Sequence, residues 1–307
     1  MNLKVCLSLL LLSTSFCVLG QNPEDKVGEI QVDLIVHAYK LDEFDQPTKR
    51  RTNKRNRPNI SMFFNTEGQL LKGIGYGKHH NTDLRLIDQI EIYQYNSLGL
   101  VSRIDIYETD YAKNLSHKYY ALFDRDSTGV NTISKRQYDV QTDSLFFKED
   151  YWYNEKGQYQ GERMSPSYYY KRSYDDKGDL IALQQIYNDS LRWDWKYTYE
   201  NNQRIGIFQT YYKDGDDYTK KEIRSYNGEG YLVENENRHT SRSGLDLKSK
   251  FYYNSQGIVE RIEFYQRFSL EEGYKLYWYQ DTKVRSKVEL SPEAIKRIND
   301  IILKEEE

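Results

Sequence analysis

The residues best placed to do chemistry in this chain are aromatic rings. Trp193, Trp195, Tyr197 and Tyr199 alternate with Asp194, Lys196 and Thr198. A strand sends successive side chains to opposite faces, so this run sets four rings on one side. Flat rings in a row stack on sugar rings or on a peptide, and their polar edges supply hydrogen bonds. The same stripe also reads as the packed side of a sheet, the commoner meaning of apolar residues at period two. The second candidate is a basic cluster: Lys49, Arg50, Arg51, Lys54, Arg55 and Arg57. Its charge suits an anionic polymer such as a polysaccharide or a nucleic-acid backbone. Runs of like charge are more often solvated loop tips. No ring interleaves this one, so nucleic acid is not an expected partner.

Other chemistries lack their residues. The histidines are His37, His79, His80, His117 and His239, with no HExxH and no carboxylate at ligand spacing. Adjacent His79 and His80 point to opposite faces if extended. Asp214, Asp216, Asp217 and Glu222 gather carboxylates without the calcium-loop pattern. Neither a metal nor a cofactor is expected. No GxSxG, phosphate loop or dinucleotide fingerprint is present. The chain therefore reads as a non-enzyme. The alternative is a carbohydrate hydrolase, which needs two carboxylates brought together in space, and no sequence spacing displays that pair.

The element that must position these residues is a repeat. Its clearest copy is Phe251-Tyr252-Tyr253-Asn254-Ser255-Gln256-Gly257-Ile258-Val259. Asn254 suits the first position of a type I turn, and Gly257 the following position that needs φ > 0. The result is a β-hairpin with a bulge. Turn positions recur at 68, 99, 129, 157, 178, 203, 230, 257 and 283. The copy at 129 reads as Phe123-Asp124 with a lengthened turn, and those at 203 and 283 lack the glycine. The residue before the turn is aromatic in each copy. Its cross-strand partner is usually apolar: Leu70, Val101, Tyr159, Leu180, Ile205, Leu232 or Val259. Such pairs stabilise a ladder. Polar stretches such as Tyr187–Ser190, 213–216, 241–244 and 270–273 supply the intervening turns.

This core resembles the YD repeat of bacterial Rhs-type cell-surface proteins. Tyr93, Tyr95, Asn96 and Gly99 carry the resemblance, as do Tyr151, Tyr153, Asn154 and Gly157, and Tyr174, Asp175 and Gly178. The likeness covers about residues 63–285. The chain departs from the pattern in favouring Asn over Asp and in lacking an arginine after the glycine. The resemblance implies a long spiralling β-sheet, in some members a shell or a carbohydrate-binding surface. Residues 251–257 are also similar to the aromatic repeats of glucan- and cell-wall-binding modules.

The ends differ from the middle. Lys4, the apolar run Val5–Leu12 and Val18-Leu19-Gly20 read as a signal peptide over residues 1–20, cleaved before Gln21. Cys6 and Cys17 both lie inside it, and Phe16 stands where a lipoprotein signal wants a small residue. A mature chain without cysteine has no disulfide and no thiolate site. Residues 21–62 carry a strand over 29–39 and the basic loop. The repeats fill 63–289. Ser291, Pro292 and Glu293 open an amphipathic helix within 290–307. Its apolar stripe needs a surface, and the open edge or the face of the last strand is nearby to supply one.

The expected fold is all-β: an antiparallel meander of about nine two-stranded repeats of ~26 residues. It forms a large coiled or layered sheet of sixteen to eighteen strands with a C-terminal helix. Thirty tyrosines suit half-buried surfaces. The function expected is an exported binding or scaffold module, periplasmic or at the cell surface, meeting a glycan or a cell-surface protein. An outer-membrane β-barrel is the remaining alternative. Mean hydropathy of −0.89, strand charges and the amphipathic helix weigh against it, so no integral membrane association is expected.

Overall fold

The computed structural model of the chain describes residues 30–41, 47–51, 58–78, 85–110, 114–212, 218–239, 246–267, 273–286 and 288–304. The lead strands are β1 (Ile30–Leu41) and β2 (Pro47–Arg51). Then come β3 (Ile60–Phe64), β4 (Leu70–Lys78), β5 (Arg85–Tyr95), β6 (Val101–Thr109), β7 (Leu115–Arg125), β8 (Thr132–Asp139), β9 (Leu145–Tyr153) and β10 (Tyr159–Ser165). The second half holds β11 (Tyr168–Tyr174), β12 (Leu180–Tyr187), β13 (Ser190–Glu200), β14 (Gln203–Tyr211), β15 (Tyr218–Tyr226) and β16 (Leu232–His239). Strands β17 (Asp246–Tyr253), β18 (Val259–Arg267) and β19 (Lys275–Ser286) and the helix α1 (Pro292–Lys304) complete the chain.

The turns follow the chemistry of their residues. At the β17–β18 turn, the Gly257 amide donates to the Asn254 carbonyl at 2.9 Å, and the Asn254 amide donates to Ile258 O at 2.9 Å. The Asn254 side-chain oxygen accepts from the amides of Gln256 and Ile258 at 2.9 and 3.0 Å. Gly257 has φ +79°, the left-handed region that glycine adopts without strain, and a Cβ there would press on the Tyr231 hydroxyl. The register shifts beside the turn, between Tyr252 and Tyr253, as a bulge demands. Beyond it Tyr253 stands opposite Val259. Tyr95 faces Val101, Tyr174 faces Leu180 and Tyr226 faces Leu232 in the same way.

Those rings also join neighbouring hairpins. The hydroxyl of Tyr95 donates to Leu70 O at 2.7 Å, Tyr153 to Thr132 O at 3.0 Å, and Tyr199 to Leu180 O at 3.0 Å. Tyr226 reaches Arg204 O at 2.8 Å and Tyr253 reaches Leu232 O at 2.9 Å, while Tyr174 donates to Tyr159 O. Each bond runs from one repeat back to the first residues of the previous one. The copy between β7 and β8 corrects the sequence reading. Its turn begins at Asp126, not Asp124, with Gly129 N donating to Asp126 O at 3.0 Å. Arg125 then occupies the aromatic position, and its guanidinium donates to Val101 O at 2.6 Å, as the tyrosine hydroxyls do elsewhere. The copy at Tyr199 also differs: the two-residue turn Asn201-Asn202, both at φ > 0, sets Tyr199 opposite Arg204 instead of Ile205. The copy at Tyr279 is not a turn, because β19 runs straight through it.

The sheet closes, which corrects the expected coiled or layered form. Each strand from β3 to β19 pairs antiparallel with the next. Strand β1 pairs with β3 on one side (Val32 opposite Met62) and with β19 on the other (Val32 opposite Val284). The chain is thus a closed antiparallel barrel of 18 strands, with β2 as a short extra strand on the far part of β1. The periodicity of the repeat describes neighbours only. Closure depends on a lead strand that lies outside the repeat and meets both ends of the array.

Most strand residues are half-buried, as in a single sheet layer; the dense packing gathers at the seam. Helix α1 lies across it. The Ser291 hydroxyl caps the helix by accepting from Ala294 N at 3.1 Å. Ile298 and Ile302 pack with Ile30, Val32, Met62, Phe64, Phe251 and Ile262. Asn299 donates to Gly257 O at 2.7 Å and accepts from Val259 N at 3.0 Å, and Arg297 donates to Glu67 O at 3.0 Å. Since β1 already pairs both neighbours, no edge is open there, and of the two surfaces expected, edge or face, the helix takes the face and braces closed strands. The opposite face of the sheet has a smaller cluster of Phe63, Ile74 and Ile90.

Candidate functional site

The four rings of β13 lie on the face that carries the helix. Trp193 stands opposite Gln185 and Tyr211, Trp195 opposite Leu183 and Gln209, and Tyr197 opposite Ile207. Trp193 and Trp195 stack with centroids 5.6 Å apart and planes at 20°. Tyr211 closes on Trp193 at 4.5 Å, and Tyr170 lies 6.4 Å from Trp195. The Tyr168 and Tyr170 hydroxyls are 2.8 Å apart, and the Gln185 amide donates to both. All four β13 rings are half-buried, so they form part of a surface, not an enclosed core. Tyr199 is spent on the inter-hairpin bond to Leu180.

Trp195 and Tyr197 open onto a basin of about 340 Å³ that spans β12 to β16 on this one face. The Arg204 guanidinium lies over the Tyr197 ring at 5.5 Å. Arg224 and Glu222 form an ion pair within the basin. Across from the rings stand Asn235 and Asn237, in register with Arg224 and Glu222. Their side-chain carbonyl oxygens are enclosed and accept no hydrogen bond. Sequence reasoning missed both. The signal was available: asparagine is depleted in strands, and two at spacing two on β16 form one polar stripe.

The remaining candidates divide. Lys49, Arg50 and Arg51 lie in β2, where only the backbone is described; Lys54, Arg55 and Arg57 fall outside the described residues. Of the acidic group, Asp214, Asp216 and Asp217 are also outside, and Glu222 belongs to the ion pair above. Among the described residues no three His, Cys, Asp or Glu side chains gather as a metal would need. The fold does bring carboxylates to two histidines. His37 lies 3.4 Å from Asp281 and His117 lies 3.1 Å from Asp105. Each imidazole stacks on a tyrosine, Tyr279 or Tyr107.

No protein family matches the chain, and no curated protein matches it. Solved structures give weak likenesses. A porin-like protein from Bacteroides uniformis aligns with 83% of this chain and 96% of its own at 10% identity and a TM-score of 0.44. A Tc holotoxin pore of Photorhabdus luminescens aligns with 72% of this chain at 12% identity and a TM-score of 0.35. The match spans only 15% of that toxin chain. Likenesses at this level carry no functional argument. The decision between the open scaffold and the barrel comes from the chain itself, through the pairing of β1 with β19. It favours the outer-membrane barrel alternative and overturns the expectation of no integral membrane association. A closed sheet satisfies its own strand edges, the condition that β-structure must meet to cross a bilayer.

Proposed function

We propose that this chain is an exported barrel of the bacterial outer membrane. The observation that carries the reading is closure: 18 antiparallel strands in which β1 pairs with both β3 and β19. Bacterial barrels of this kind have even strand numbers, tight turns at one rim and rings near the interfaces. The YD-like hairpins fit that role. Their Asn- and Asp-led turns crowd one rim, and Tyr95, Tyr153, Tyr174, Tyr199, Tyr226 and Tyr253 ring it with their hydroxyls already bonded.

Strand charges were the sequence argument against a barrel. A lone Arg or Lys facing lipid at mid-bilayer costs about 2–4 kcal/mol. Here several of the charges stand in pairs, on both faces. Arg172–Glu162 (2.5 Å) and Arg224–Glu222 lie on the helix-bearing face. Arg136–Asp124 (2.5 Å), Arg238–Glu236 (2.9 Å) and Arg261–Asp281 (2.8 Å) lie on the other. Pairing lowers the cost of a charge at low dielectric without abolishing it, so membrane residence needs a direct test. Full-length protein expressed with its leader should sediment with outer membranes, resist a carbonate wash and require detergent for extraction. Recovery in the aqueous periplasmic fraction without detergent overturns the reading.

A further inference from the structure

We propose that the basin between β13 and β16 binds a saccharide ring. The argument rests on the basin alone and holds whether or not the barrel sits in lipid. One wall is flat and apolar: Trp195 is half-buried and stacks nearly parallel to Trp193, which fixes its orientation. Stacked support of this kind presents a ring face to a ligand with no loss of side-chain freedom on binding. The far side of the basin, on β16, carries Asn235 and Asn237, whose side-chain carbonyl oxygens are enclosed and accept nothing. Buried acceptors are nearly always bonded in folded proteins, so these two call for a donor from water or from a ligand. The Arg224–Glu222 pair sets donors and an acceptor beside them.

A sugar ring matches this asymmetry. Its C–H face stacks on an indole, while the hydroxyls on its rim both donate and accept. An apolar ligand would leave the asparagine oxygens unmet, and a flexible peptide would have no rigid face for the indole. The volume of about 340 Å³ is at the lower end of the ~300–1,000 Å³ of small-ligand sites, which suits one or two rings and no long chain.

The test uses full-length protein and a broad glycan microarray, followed by tryptophan-fluorescence titration with the strongest retained glycan. Wild type should bind saturably. Asn237→Leu keeps the branched side-chain shape at a larger volume and removes the acceptor; it should weaken binding at least tenfold with an unchanged melting temperature. Trp195→Ala should abolish the fluorescence change, and Trp278→Phe, on another part of the sheet, should leave the affinity unaltered. If Trp195→Ala unfolds, Asn237→Leu alone decides. Retention of no glycan by folded wild type overturns the proposal, as does undiminished binding by Asn237→Leu.

Discussion

Tyr253 shows how much one side chain does in this fold. Its ring stands against Val259 across the hairpin, and its hydroxyl ties that hairpin to Leu232 of the preceding one. Tyr253→Phe should therefore cost about 1 kcal/mol, the worth of one hydrogen bond. Tyr253→Ala should cost about 3–5 kcal/mol, since it also empties a large packed volume. Asn254→Ala removes one half-buried turn acceptor and little packed volume, and should fall well below that. Equal losses for Tyr253→Ala and Asn254→Ala in denaturant melts would contradict this ranking. The aromatic position was legible in the sequence as a periodicity, but the inter-hairpin bond was not, because its acceptors are backbone carbonyls. That is also why Arg125 was missed: the search for a ring stopped at Phe123, two residues early. In the same turn, the Thr128 hydroxyl and then the Asn131 amide hold the Asp126 carboxyl below its ordinary value. A depressed folded value means that the turn gains stability above the unfolded carboxylate range, about pH 4, and loses it as pH falls through the folded value. The protection factor of the Gly129 amide, its exchange rate taken relative to the intrinsic rate at each pH, should fall on acidification through that window, and Asp126→Asn should remove the dependence.

At the scale of elements, the helix and the seam belong together. The Ser291 cap and the apolar spacing of α1 were readable from the sequence, and the helix is where they put it. Its partner was not readable, since an amphipathic stripe specifies an apolar surface without naming one. The fold supplies β1, β3, β17 and β18, with Asn299 bonding the turn between the last two. Ile298 is fully buried, so Ile298→Ala should cost about 2–5 kcal/mol. The loss should be local: amide protection should fall in β1, β3 and β18 and hold in β8 to β12. Uniform loss around the barrel would mean that the helix does not brace the seam. The candidate site divides the same way. The rings of β13 were legible by their alternation, whereas Asn235 and Asn237 reach the basin only through the β14–β15–β16 register.

At the scale of the whole molecule, strand number and antiparallel order were present in the spacing of the turns, and closure was not. An open spiral and a barrel share every neighbouring pair from β3 to β19; they differ in one ladder, β1 against β19. That ladder sets Gln31 opposite Arg285 and Ile30 opposite Ser286. It can be trapped chemically. With Cys6 and Cys17 replaced by serine, paired cysteines at Gln31 and Arg285 should form a disulfide under mild oxidation, read as a shift on a non-reducing gel. The neighbouring pair at Ile30 and Ser286 provides the alternate geometry. Closure predicts cross-linking through at least one pair and none between Gln31 and a cysteine placed at Lys196, far around the barrel. Absence of a cross-link from both seam pairs in folded protein would contradict the closed barrel and return the chain to an open sheet.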